Sequence, residues 1–160
     1  MALGVVNYLG SRMAAFVQSV AVALLFLVGL AFFVPGNLRG DTAHLVPHFT
    51  TMAGFLSVVI MTPFLYLGFD VIPQTAEELD IPFRSVGRFI LLSIALAVLW
   101  YVLVQWTVGL TLAARALAGR QLPTADAMSA VYGSAWGGRV LVCGGLMGIL
   151  TSWNAFFIGA

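Results

Sequence analysis

The chain of 160 residues is 61% hydrophobic and only 8% charged, and its mean hydropathy is +1.04. A soluble domain of this length would have too little polar surface to cover itself, so the composition excludes that class and predicts an all-α membrane protein. The seven basic residues are all arginines and the formal net charge is +1. Because no run of like charge occurs, no nucleic-acid partner is predicted.

In chain order, hydropathy predicts four membrane-spanning helices, each near the roughly 20 residues that cross about 30 Å of hydrocarbon. The predicted spans are residues 13–34, 51–79, 86–114 and 140–160. The first is expected to stop at Pro35-Gly36. A short external helix is predicted over about residues 124–136, because Pro123 and Thr124 suit a helix start and Gly137-Gly138 suits its end. Because the sequence stops within an apolar run, we expect a piece of a longer protein.

The stretch LYLGFDVIPQTAEE, residues 65–78, allows two interpretations of the second span. In the first, residues 51–69 already cross the bilayer, and Asp70 is interfacial. In the second, the helix unwinds at 68–72, because Gly68 permits unusual backbone angles and Pro73 suits the first position of a new helix. Such a break is tolerated at membrane depth only where the freed backbone groups face protein, ligand or water. These residues alone leave both interpretations open.

Other residues with chemical potential have simpler interpretations. Cys143 has no partner for an intramolecular disulfide and is predicted to be a small packed hydrophobe. His44 and His48 have a proline between them, which argues against a helical metal pair and predicts surface residues. Gly144 and Gly148 predict close helix packing. We find no nucleophile-base pair, phosphate loop or metal-ligand set, so an enzyme is not expected.

The motif GFDVIPQTAEE closely resembles the sixth transmembrane helix of amino acid permeases of the amino acid-polyamine-organocation (APC) superfamily. Residues 6–18, VNYLGSRMAAFVQ, are similar to the entry into helix five, and residues 150–160, LTSWNAFFIGA, are similar to helix eight. The resemblance implies a fragment covering helices five to eight of an inverted-repeat (LeuT-like) transporter bundle, with a discontinuous second span broken near 68–72. It also implies that Met1 lies inside, whereas the arginine distribution leaves the orientation undecided.

The resemblance implies secondary active transport of amino acids or related amines across the cytoplasmic membrane by alternating access. In the family, substrate binds exposed backbone where helices one and six unwind. Carried over to this sequence, the implied substrate-binding residues are Phe64, Tyr66, Leu67, Gly68, Phe69 and Asp70. A carboxylate beside a substrate ammonium changes its proton occupancy, so Asp70 is the first candidate for ion coupling, against a structural role at the break.

The coupling ion, H⁺ or Na⁺, is not decided by the sequence, and exchange without an ion is also open. Some proton-coupled relatives carry a lysine near the position of Leu25, and this chain has no ionisable residue there. Thr151 and Ser152 stand where sodium-coupled members use hydroxyls, so they form a candidate cation site. The expected partners are the substrate, the lipid bilayer and the missing helices of the same permease. The alternative is a noncatalytic membrane subunit or assembly protein.

Overall fold

The computed structural model of the protein describes residues 11–46, 51–66 and 82–158. These residues form helices joined by short connections, and no strand occurs among them, so the predicted all-α class is confirmed. The α-helices are α1 (Ser11–Arg39), α2 (Met52–Met61), α3 (Phe83–Thr111), α4 (Ala114–Leu117), α5 (Pro123–Tyr132) and α6 (Ala135–Ile158). Two 3₁₀ helices, Thr42–Leu45 and Thr62–Tyr66, precede and follow α2.

Three helices in the described part of the chain are long and apolar enough to cross a membrane. The qualifying segments are Ala15–Arg39 in α1, Arg84–Thr111 in α3 and Ala135–Asn154 in α6. The described part of the predicted second span is a shorter apolar helix, Met52–Leu65. These lengths are those of a membrane protein, because about 20 apolar residues in a helix cover the hydrocarbon core.

Helices α1 and α3 run parallel and meet along a seam of glycines. A Cβ atom added to Gly29 would overlap the Trp100 ring, and one added to Gly36 would overlap the Thr107 methyl group. Residue numbers rise together on the two helices along this seam, which makes the pair parallel. The missing side chains let the two backbones approach closely, as small residues do in membrane helix pairs.

Helix α6 runs antiparallel to α1 and packs against another face of it. A Cβ atom added to Gly144 would lie 2.9 Å from Val28 Cγ1, whereas one added to Gly148 would lie 3.7 Å from Leu25 Cδ2. Residue numbers rise on α6 as they fall on α1. The GxxxG element is therefore used within the bundle, and its tighter contact is at Gly144.

Helix α5 packs across the ends of the three long helices, at what we call the α5 end of the bundle. Its buried face contains Ala125, Ala127, Met128 and Val131. Part of this face joins the main hydrophobic cluster, whose buried members are Phe32, Phe33, Val108, Ala127, Met128 and Val131. The short helix thus closes the core of the bundle instead of lying loosely on a surface.

The last residue of helix α5 differs from the sequence prediction. The helix ends at Tyr132, and Gly133 takes the left-handed conformation with φ of +61° that commonly follows a helix. Gly137 and Gly138, predicted to end this helix, instead lie in α6, which starts five residues before the predicted residue 140. Added Cβ atoms at the two glycines would lie 2.8 Å from carbonyl oxygens of α5, so they permit a close helix crossing.

The first span also continues farther than predicted, through Pro35 to Arg39. Proline lacks an N–H group, so the Ala31 carbonyl loses its usual partner four residues later. The Tyr132 hydroxyl donates to this carbonyl oxygen at 2.7 Å. The helix therefore continues through the proline, because a side chain distant in sequence takes the place of the missing donor.

The third span ends three residues earlier than predicted, at Thr111 instead of residue 114. Leu112 leaves the helical region with φ of −129° and ψ of 128°. The exposed end of α3 is covered by the 3₁₀ helix Thr42–Leu45. The Leu110 carbonyl oxygen accepts from the Asp41 backbone N–H at 2.9 Å, and His44 Nδ1 lies 2.9 Å from the same oxygen. His44, predicted to be a surface residue, is partly exposed and lies at a helix end whose last carbonyls lack helical donors, whereas His48 is outside the described residues.

Candidate functional site

The predicted substrate-binding residues fall at the edge of the described chain. Phe64 lies in the second 3₁₀ helix with 66% of its surface exposed. Tyr66 is the last residue of that helix by its backbone. Leu67, Gly68, Phe69 and Asp70 lie outside the described residues, as does the predicted break at 68–72.

The second span nevertheless changes from an α-helix to a 3₁₀ helix before residue 67. Helix α2 is capped at its start by Thr51, whose hydroxyl accepts from the Gly54 N–H at 3.1 Å. After ten residues the α-helix becomes 3₁₀ at Thr62–Tyr66. This change precedes the break predicted at residues 68–72, which lies outside the described residues.

Pro63 accounts for the change from α to 3₁₀ geometry. It has no N–H group to donate to the carbonyl of Val59, four residues before it. The Thr62 N–H instead donates to the carbonyl oxygens of both Val58 and Val59, and the Thr62 hydroxyl donates to Val58 at 2.9 Å. The shorter-range bond tightens the helix, which is how a final turn commonly satisfies its carbonyls.

A tyrosine from the neighbouring span supports the 3₁₀ segment. The Tyr101 hydroxyl donates to the Leu65 carbonyl oxygen at 3.0 Å. Tyr101 lies ten residues before the end of α3, or about 15 Å along the helix. A residue about 15 Å from a helix end that lies at the hydrocarbon boundary is near the middle of a core about 30 Å thick. An opening of about 440 Å³ lies between the two segments, with Thr62, Tyr101 and Gln105 as its polar side chains.

The candidate cation site lies elsewhere, in the last helix. The hydroxyls of Thr151 and Ser152 both donate to the Gly148 carbonyl oxygen, at 2.7 and 3.0 Å. These are the local bonds that Ser and Thr commonly form inside helices. The two hydroxyl protons are therefore committed to the backbone, while the oxygen lone pairs keep the capacity to ligate a cation.

A buried amide network beside Thr151 was missed by the site prediction. The Gln18 side chain donates from Nε2 to the Thr151 carbonyl oxygen at 3.3 Å, and its Oε1 accepts from Asn154 Nδ2 at 3.1 Å. Asn154 is only 2% exposed. The signal in the sequence was the presence of two amides in apolar runs, because polar groups at membrane depth require partners. Their pairing across α1 and α6 depends on helix packing.

A second interhelical network lies near the α5 end. Asn37 on α1 donates to the Thr107 hydroxyl at 3.2 Å and accepts from Trp106 Nε1 at 3.1 Å. Arg39 donates to the Val131 carbonyl at 2.9 Å, near the end of α5. These contacts join α1 to α3 and α5. We interpret them as structural, because their polar atoms bond to one another.

Comparisons with protein-family models, with curated proteins and with solved structures give no match. Within the described residues, no group of three or more His, Cys, Asp and Glu side chains is placed to hold a metal ion. The local chemistry of the second span must therefore carry any functional conclusion.

Proposed function

We propose that the chain is part of a secondary transporter of amino acids or related amines, belonging to the APC superfamily and folded as part of a LeuT-like bundle. The observation that supports it most is the hydrogen bond between Tyr101 and the Leu65 carbonyl at mid-membrane depth. An apolar span that leaves α-helical geometry frees backbone acceptors. Thr62 satisfies those of Val58 and Val59 and Tyr101 satisfies that of Leu65, so under the proposal the substrate uses the acceptors that follow. Such acceptors are suited to binding the ammonium group of a substrate.

The position of this bond favours a helix break inside the membrane over a simple exit from it. Three residues of fully extended chain cover only about 10 Å, so Gly68 follows within that distance of Leu65. Half of the hydrocarbon core is about 15 Å and five residues cover about 17 Å at full extension, so an interfacial Asp70 would require an almost fully extended chain. Under the proposal, Asp70 therefore lies in or near the membrane, where an ionisable group commonly marks a substrate or ion pathway.

Tyr101 acts as a positioning residue under this proposal. By holding the Leu65 carbonyl, it fixes where the irregular segment begins, and it leaves the following carbonyls to the substrate. Phe64, Tyr66 and Phe69 would provide aromatic surface near the ammonium, which cation-π attraction favours. Under the proposal, Asp70 would couple transport to H⁺, whereas Thr151 and Ser152 would couple it to Na⁺.

Transport measurements on the full-length protein in its membrane test the proposal. We expect Asp70→Asn and Gly68→Leu to reduce uptake of the transported amino acid at least tenfold, with surface expression unchanged. Asp126→Asn is the matched control, because this carboxylate is partly exposed and pairs with Arg120 on α5's side of the bundle. Uptake of every amino acid at the control level in both test variants would reject the site and favour the noncatalytic subunit.

A further inference from the structure

A groove of about 510 Å³ lies between α1 and α6, on the side of the tight Gly144 contact. Apolar side chains from both helices form its walls: Leu24, Val28, Val140, Cys143 and Met147. Cys143, predicted to be packed, is instead exposed in this groove. In a membrane, a surface of this kind faces lipid chains unless protein covers it.

One end of the groove carries a cation and an indole ring. Trp136 and Arg139 line it at the start of α6, near the α5 end of the bundle. Trp136 is 66% exposed, and Arg139 is exposed as well. The carboxylates within the described ranges are Asp41 and Asp126, and the ion pair found there joins Asp126 to Arg120. Among the described residues no carboxylate pairs with Arg139, so its charge can attract an anion.

The groove has the length and polarity of one membrane leaflet. From Trp136 to Met147 it follows eleven residues of α6, or about 16 Å. This is close to half of the roughly 30 Å hydrocarbon thickness. Trp and Arg at a helix end commonly lie at the level of the lipid headgroups. The charged end of the groove therefore faces headgroups, and its apolar part faces acyl chains.

We propose that this groove binds an anionic phospholipid, with an acyl chain along Leu24, Val28 and Met147 and the phosphate on Arg139. Beyond the first turn of α6, the groove walls are apolar and offer a soluble anion no hydrogen-bond donor or cation. A zwitterionic lipid would gain less from the arginine, because its own cation opposes the attraction. The occupant of this groove must satisfy the Arg139 cation at one end and the apolar walls along the rest, and a phosphate joined to an acyl chain does both.

The test uses the whole chain in nanodiscs and lipids brominated on the acyl carbons nearest the headgroup, where the bromines can quench the fluorescence of Trp136. We expect brominated phosphatidylglycerol to quench more strongly than brominated phosphatidylcholine at equal mole fraction, and Trp136→Phe to remove most of the difference. Arg139→Gln should weaken binding of phosphatidylglycerol about fivefold, the effect of one arginine near anionic lipid. Arg115→Gln, an exposed arginine on α4, should leave it unchanged.

A second pair of variants tests the groove itself. Cys143→Phe fills the groove and should reduce the preference for phosphatidylglycerol, whereas Val142→Phe, on the adjacent face of α6, should not. Equal quenching by the two lipids would overturn the proposal. So would equal effects of Arg139→Gln and Arg115→Gln, which would indicate nonspecific surface attraction. Competition by inorganic phosphate would indicate an anion site without a lipid, and loss of quenching on self-association would indicate a second copy.

Discussion

Replacement of Tyr132 by phenylalanine tests how the first span passes through Pro35. The Tyr132 hydroxyl donates to the Ala31 carbonyl at 2.7 Å, which is the carbonyl that proline leaves without a helical donor. Phenylalanine keeps the ring and removes only that donor. We therefore expect Tyr132→Phe to destabilise the protein through one unsatisfied acceptor.

The expected cost is about 1 kcal/mol. An intramolecular hydrogen bond contributes about 0.5–1.5 kcal/mol net, and side-chain bonds between membrane helices average about 0.6 kcal/mol. Tyr132 is 45% exposed, which keeps the value below the upper end of this range. A loss of about 1 kcal/mol changes the unfolding equilibrium constant about fivefold.

Pro35→Ala provides the matched background, because alanine restores an N–H group that can donate to Ala31. Tyr132→Phe should then cost less than half of its value in the unmodified chain. The free energy of unfolding can be measured for the four variants by titrating mixed micelles with dodecyl sulfate and following helical circular dichroism. An equal cost of Tyr132→Phe in both backgrounds, within about 0.3 kcal/mol, would refute the assigned role of the hydroxyl.

Three further predictions use the same unfolding measurement. Gly36→Ala should destabilise by about 1–3 kcal/mol, because its Cβ would overlap the Thr107 methyl group, and Thr107→Ser should recover much of the loss. Asn154→Ala should cost about 1 kcal/mol by removing the donor to Gln18 Oε1. In that background Gln18→Ala should cost less than in the unmodified chain, because only its bond to the Thr151 carbonyl remains to be lost; fully additive costs would contradict the shared bond. Asp126→Asn should change stability by only about 0.5 kcal/mol or less, since its ion pair is partly exposed; a larger loss would show a role that the pair does not explain.

Much of the fold could be predicted from composition and hydropathy. The first, third and fourth predicted spans correspond to α1, α3 and α6, because about 20 apolar residues are detectable without knowledge of their neighbours. The residues at which these helices begin and end were harder to predict. Pro35 looked like a stop and Gly137-Gly138 like a helix end, since the sequence does not show that Tyr132 replaces a donor or that two glycines permit a helix crossing.

The candidate site could be predicted from the sequence only in part. Thr151 was selected from its position, but its link to Gln18 and Asn154 requires α1 and α6 to be antiparallel and in register. Similarly, Tyr101 gave no signal in sequence, because a tyrosine in an apolar span is compatible with simple packing. Its hydrogen bond to the Leu65 carbonyl forms only because two spans lie side by side at the same level.

The sequence by itself determined that this chain is helical, that it is too apolar for water, and approximately which segments are long and apolar enough to cross a membrane. Those properties depend on composition and local periodicity, which each segment carries independently. Tertiary structure alone decided which carbonyl Tyr132 reaches, which glycines form seams, and where Arg139 meets an apolar groove. Each of these requires two segments far apart in sequence to lie within a few ångströms, and only helix packing sets that distance.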